Sequence, residues 1–131
     1  MKVLALDFGR ARTGVAVSDP TGTIARPLCV VERAGSGDGL ARLAALIGEH
    51  EVERVVVGLP ITLRGERGEQ AQETERFVEA LSDVIEIPVV TFDERFTTDL
   101  AEQTPSDSSE DARAAAHLLS SYLTWASGAR A

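Results

Sequence analysis

The chain has 131 residues, 44% of them apolar, with 11 Gly and 5 Pro, a composition that excludes disorder or a collagen-like repeat and suits one folding domain. Twenty-one acids against 13 bases leave a net charge of −8, so contact with nucleic acid needs a local cationic cluster or a bound metal. No apolar run approaches the roughly 18 residues of a membrane helix, and Cys29 is the only cysteine, which excludes an internal disulfide and a CxxC metal site. The expectation is a cytoplasmic protein with no membrane partner, organised as a single domain over residues 1–131.

The first predicted element is a strand over Lys2 to Phe8, apolar on both faces as a central strand must be. A second, Thr13 to Ser18, follows so tightly that the connection can only be a hairpin. The turn Asp19-Pro20-Thr21-Gly22 leads to a third strand, Ile24 to Glu32, where Pro27 marks an edge or a bulge. Leu40, Leu43, Ala44, Leu46 and Ile47 then repeat at helical spacing. The β-branched run Arg54 to Leu59 predicts a buried strand parallel to a neighbour, since it is reached through a helix. A Gly- and charge-rich loop, Thr62 to Gly68, precedes a helix over Glu69 to Leu81 and a strand over Pro88 to Phe92. After the polar stretch Thr104 to Glu110, helical spacing returns from Asp111 to Trp125, with Trp125 expected as an apolar anchor at its end. This order predicts an α/β fold of the ribonuclease H type. Its mixed five-stranded sheet is an antiparallel meander plus two parallel strands, flanked by helices, with the first strand beside the fourth.

Three acidic positions require a chemical explanation. Counting by twos, Val3, Ala5 and Asp7 share one face, so an apolar row ends in a carboxylate at the strand tip. Such a group needs a metal, a base or backbone donors; the structural alternative is a side-chain cap on the Gly9 turn. Asp93-Glu94 end the fifth strand, and Glu110-Asp111 open the last helix, where Ser109 or Asp111 can serve as the N-cap. If the strand tips face one sheet edge and the helix crosses it, these acids converge. Converging carboxylates without His or Cys suit Mg²⁺ or Mn²⁺, and such ions support phosphodiester cleavage.

In order, Asp7-Phe8-Gly9, Arg12, Gly14-Val15-Ala16-Val17 and Ser18-Asp19, then Val57-Gly58-Leu59-Pro60 with Gly65 and Gln70, then Asp93-Glu94-Arg95-Phe96-Thr97-Thr98, then Asp111, Ala114, Ala115 and Leu118-Leu119, span nearly the whole chain. This pattern closely resembles the YqgF family of ribonuclease H-like proteins, named for pre-16S rRNA nuclease or Holliday-junction-resolvase-like activity. The resemblance implies a metal-dependent nuclease whose metal set is Asp7, one acid of the Asp93-Glu94 pair, and Asp111. Glu94 is preferred over Asp93, because neighbouring strand residues face opposite ways and the longer side chain reaches further. Arg12 and Arg95 beside the acids are candidate phosphate contacts, with an ion pair to Asp93 or Asp19 as the alternative. Arg64 and Arg67 can touch substrate from the Gly-flanked loop or simply lie in solvent.

One departure from the family pattern bears on substrate. From Phe96 through Asp111 there is no Lys or Arg, while Asp99, Glu102, Asp107, Glu110 and Asp111 add five negative charges. A basic arm for gripping a four-way junction is missing, which favours single-stranded or loosely paired RNA, with pre-ribosomal particles as partners, over branched DNA. The rival class is a non-catalytic ribosome-assembly protein that keeps the fold. Two decoys fall away. Asp7-Phe8-Gly9 lacks the other protein-kinase motifs, and an actin-like ATPase needs two such domains. An exposed strand edge or helix leaves a homodimer open.

Overall fold

The computed structural model describes residues 1–60, 68–94 and 109–128. Eight elements follow one another: β1 (Val3–Asp7), β2 (Arg12–Ser18), β3 (Ala25–Glu32), α1 (Gly37–Glu49), β4 (Arg54–Leu59), α2 (Glu69–Val84), β5 (Val89–Asp93) and α3 (Glu110–Gly128). The strands form one sheet in the order β3-β2-β1-β4-β5. β1 pairs antiparallel with β2 and parallel with β4, and β5 adds parallel to β4. The mixed sheet with β1 at its centre is therefore present as the sequence predicts.

Alternation along the strands divides the core in two. Leu4, Leu6, Val15, Val17, Val55 and Val57 point to the side packed by Leu43, Leu46 and Ile47 of α1 and Phe77 and Leu81 of α2. Val3, Ala5, Ala16, Val56 and Phe92 point the other way, against Ala115, Leu118, Leu119 and Tyr122 of α3. Both faces of β1 and β4 are thus covered, which is why their sequences read as unbroken apolar runs. On the edge strand β3 the register shifts opposite Val15 and Ala16, which face Cys29 and Pro27, so the bulge falls beside the proline that cannot donate to the ladder.

Local chemistry fixes the element ends. Ser36 caps α1 by accepting from the Gly39 N–H at 3.1 Å. Asp19 closes the β2–β3 turn, its Oδ1 accepting from the N–H groups of Thr23 and Ile24 at 2.8 Å each and its Oδ2 from the Thr21 hydroxyl, and these bonds hold its carboxyl well below the usual range. Two expectations are corrected. α2 runs on to Val84 and α3 to Gly128, beyond Leu81 and Trp125. Trp125 is 55% exposed: its indole is tilted against the rings of Phe92 and Tyr122, centroids 5.8 and 6.1 Å away, while Tyr122, Leu123 and Ala126 on either side of it supply the packing against the core. Among the described residues no helix is long and apolar enough to cross a membrane.

Candidate active site

The same alternation that divides the core places the acids. Asp7 continues the Val3, Ala5 row onto the α3 face at the tip of β1, and Glu94, two residues beyond Phe92, follows that face beyond β5. Two glycines clear the ground between them. Gly14 pairs with Asp7 across β1 and β2, and a Cβ built there would stand 1.8 Å from the carbonyl oxygen of Asp111. The first turn of α3 therefore lies directly on β2, carrying Asp111 to the side of Asp7. On β4, a Cβ at Gly58 would stand 2.6 Å from Oε1 of Glu94 and 3.1 Å from Leu118 Cδ2. The space a side chain would fill at Gly58 is taken by the Glu94 carboxyl.

Asp7 and Glu94 share a hydrogen bond in which the protonated Glu94 carboxyl donates to Asp7. Burial is the largest cause of the Glu94 shift, and the charge of Asp7 and its hydrogen bond add to it, so the carboxyl is pushed up to about 7. Burial also raises Asp7 above its ordinary value; the bond from Glu94 opposes that rise and the nearby charge of Asp111 adds to it. Below about pH 7 the pair therefore shares one proton between two carboxylates. Asp111 is held differently, with Arg12 Nε 3.4 Å from its Oδ2.

The Gly9 N–H is bonded to Thr13 Oγ1, at 3.4 Å, rather than to Asp7. The α3 cap is taken by Ser109, whose Oγ accepts from the Ala112 N–H at 3.2 Å. Arg12 pairs with Asp111, not with Asp93 or Asp19, because Gly14 brings the start of α3 over the β2 strand that begins at Arg12. Asp93, one residue before Glu94, ends β5 beside Leu59. Arg64, Arg67 and Arg95 lie outside the described residues.

A cleft of about 400 Å³ opens onto Asp7 and Glu94, walled on one side by the β1–β2 turn and on the other by Gln70, Glu73 and Thr74 of α2. Phe8 anchors the turn by stacking on Phe77 of α2, ring centroids 4.4 Å apart. The sequence reading missed Glu73 and its partner Arg10 as cleft residues. The signal was present, since Gln70, Glu73, Thr74 and Phe77 recur at helical spacing and so share the side of α2 that meets the sheet.

The donor set fits a hard divalent cation, since the three acids, Asp7, Glu94 and Asp111, offer only carboxylate oxygens. Among the described residues, no three His, Cys, Asp or Glu side chains are gathered round a single point.

Residues 1–125 match the family model described as RuvX, Holliday junction resolvase. A relative from Chloroflexus aurantiacus, named "Putative pre-16S rRNA nuclease", is 48% identical over 101 residues, which cover 77% of this chain and 66% of the relative, just under two thirds of its length. A relative of the same name from Syntrophomonas wolfei is 37% identical over 132 aligned positions, covering 94% of both chains. Among solved structures, Thermus thermophilus RuvC in complex with Holliday junction substrate superposes with a TM-score of 0.69 at 17% identity, covering 98% of this chain and 96% of that one. At that identity the likeness shows the fold, the resolvase form of the ribonuclease H-like architecture. With four ordered motifs, a family model matched over nearly the whole length and relatives sharing more than a third of their residues, the chain belongs to the RuvX/YqgF family.

Proposed function

We propose that this protein is a divalent-metal-dependent nuclease that hydrolyses phosphodiester bonds, acting in the cytoplasm on single-stranded or loosely paired RNA as one domain spanning residues 1–131. Membership of the RuvX/YqgF family supports a nuclease role. The observation that carries the reading is the hydrogen-bonded Asp7–Glu94 pair with Asp111 close enough to raise Asp7, a set of carboxylates on one face of one sheet edge. Asp7, Glu94 and Asp111 would hold Mg²⁺ or Mn²⁺, with Asp93 the substitute for Glu94. Bound there, such an ion supplies Lewis-acid activation of water and stabilisation of the leaving oxygen.

The chain's own residues prepare that chemistry. Partial burial at the tip of β1 lowers the local dielectric around Asp7, which strengthens its field on anything bound beside it. Glu94 holds the proton that keeps two adjacent carboxylates from repelling each other. Arg12 fixes the orientation of Asp111 and offsets its charge, and its exposed side chain remains open to a phosphate oxygen. Arg64, Arg67 and Arg95 are proposed as further substrate contacts.

RNA is favoured for two reasons. The relatives that share 37–48% identity are named for pre-16S rRNA nuclease activity, and the stretch from Phe96 through Asp111 carries five acids and no base, poorly suited to gripping duplex arms. Maturation of the 16S rRNA 5′ end on pre-ribosomal particles, or RNA turnover, is the proposed setting. Branched DNA is the second reading, favoured by the RuvX description of the matching family model. Cleavage in Mn²⁺ of single-stranded RNA, precursor 16S rRNA and a four-way DNA junction tests the choice. RNA cut in preference to the junction is expected; a junction resolved while RNA stays intact contradicts it.

A further inference from the structure

Three carboxylates line the cleft: Asp7 and Glu94 from the sheet, and Glu73 from α2. Among the described residues that line it, Arg10 is the only basic one. Arg10 leaves the turn between β1 and β2 and crosses to α2, where Nη2 meets Oε1 of Glu73 and Nε donates to Oε2 at 3.4 Å. This is the two-point edge that a guanidinium offers to a carboxylate or, equally, to a phosphate. The Arg10 side chain is 78% exposed, whereas Glu73 is recessed to 21%. A ligand arriving from solvent therefore reaches the cation first, and an ion pair this exposed is weak enough to exchange.

A phosphodiester strand approaching Asp7 and Glu94 meets carboxylates of its own sign and needs a cation at the mouth of the cleft. Arg12, which pairs with Asp111 on the α3 side, does not line this cleft and would contact a phosphate outside it. We propose that Arg10 is a phosphate-binding residue for the nucleic-acid strand entering the Asp7–Glu94 cleft, and that Glu73 occupies its guanidinium as a stand-in for that phosphate until substrate displaces it. The proposal rests on the nuclease reading above and deepens it. Arg10 positions the strand, and Glu73 sets the affinity threshold that a bound phosphate must overcome.

The test measures binding of a fluorescently labelled single-stranded oligoribonucleotide to wild type, Arg10→Ala, Arg10→Lys, Glu73→Gln and the Arg10→Ala/Glu73→Gln double variant, with thermal unfolding of each recorded alongside. Glu73→Gln is expected to tighten binding by roughly 2- to 5-fold, the scale of one exposed ion pair. Arg10→Ala is expected to weaken binding by roughly tenfold and to flatten its salt dependence, as loss of one charge-assisted phosphate contact does. Arg10→Lys recovers only part of this, because an ammonium lacks the fork. In the Arg10→Ala background Glu73→Gln has no further effect, and in cleavage Arg10→Ala raises KM by more than it lowers kcat. Wild-type binding that Arg10→Ala leaves unchanged, or a Glu73→Gln effect that persists without Arg10, overturns the proposal while the nuclease reading stands. Failure of the folded wild type to bind or cut either RNA or DNA overturns the nuclease reading, and the proposal with it.

Discussion

Gly14 and Asp111 are in backbone contact: a Cβ on Gly14 would stand 1.8 Å from the Asp111 carbonyl oxygen and 3.1 Å from the Ala112 nitrogen. One residue on β2 thus sets how closely α3 approaches the sheet and where the third carboxylate lies. Gly14→Ala should lift the first turn of α3, with a stability loss of about 1–3 kcal/mol or more, since the clash is with backbone that has no rotamer to change. Chemical denaturation measures the loss, and cleavage should fall further than stability alone explains. An unchanged denaturation midpoint would mean that α3 does not rest on β2 as described.

Gly58 provides the complementary case. Its virtual Cβ lies 2.6 Å from Oε1 of Glu94, the far end of a flexible side chain, and 3.1 Å from Leu118 Cδ2. Gly58→Ala should therefore displace the Glu94 carboxyl at modest cost to the fold. Activity is expected to drop by roughly tenfold or more while Tm moves by only a few degrees, the pattern of a misplaced reacting group rather than a damaged core. Comparing kcat with Tm in one preparation checks this; full activity in the folded variant would remove Glu94 from the site.

The order of strands and the split of the core were legible because both faces of β1 and β4 are buried, leaving apolar runs that only central strands show. The side of the sheet reached by Asp7 followed from counting by twos. What the sequence did not disclose depends on where helices settle over the sheet. Arg12 and Asp111 are far apart in the chain and meet only because Gly14 lets α3 down onto β2. The spacing of Glu73 with Gln70, Thr74 and Phe77 puts it on the side of α2 that meets the sheet, but which part of the sheet it faces, the Asp7–Glu94 cleft, is set by the docking of that helix. Trp125 lies in an apolar stretch of the sequence, but Tyr122, Leu123 and Ala126 supply the contact with the core there and leave the indole exposed.

The raised Glu94 carboxyl makes stability depend on pH in a defined direction. The unfolded chain loses this proton near 4.5, whereas the folded protein holds it to about 7. Below 4.5 both states are protonated and the native preference for the acid form is fully retained. As pH rises through this window the unfolded state ionises first, and metal-free stability declines until the folded group has also ionised. In Glu94→Gln the amide still donates to Asp7 but cannot ionise, so the decline between those limits should shrink. Urea midpoints across that range in the presence of a chelator measure it; the same decline in both proteins would contradict the assignment of the proton to Glu94.

The most direct test of the central claim is Asp7→Asn, with Mn²⁺-dependent cleavage of single-stranded RNA and thermal unfolding measured side by side. The substitution keeps the side chain's shape at the tip of β1 and removes the charge. The variant is expected to fold, to lose the Mn²⁺-induced rise in Tm expected of the wild type, and to lose cleavage by more than about a hundredfold, beyond what removing an outer partner of a metal ligand costs. A folded Asp7→Asn protein that still cleaves RNA at the wild-type rate, with the same Mn²⁺-induced shift, would contradict the assignment of this carboxylate cluster as the catalytic centre.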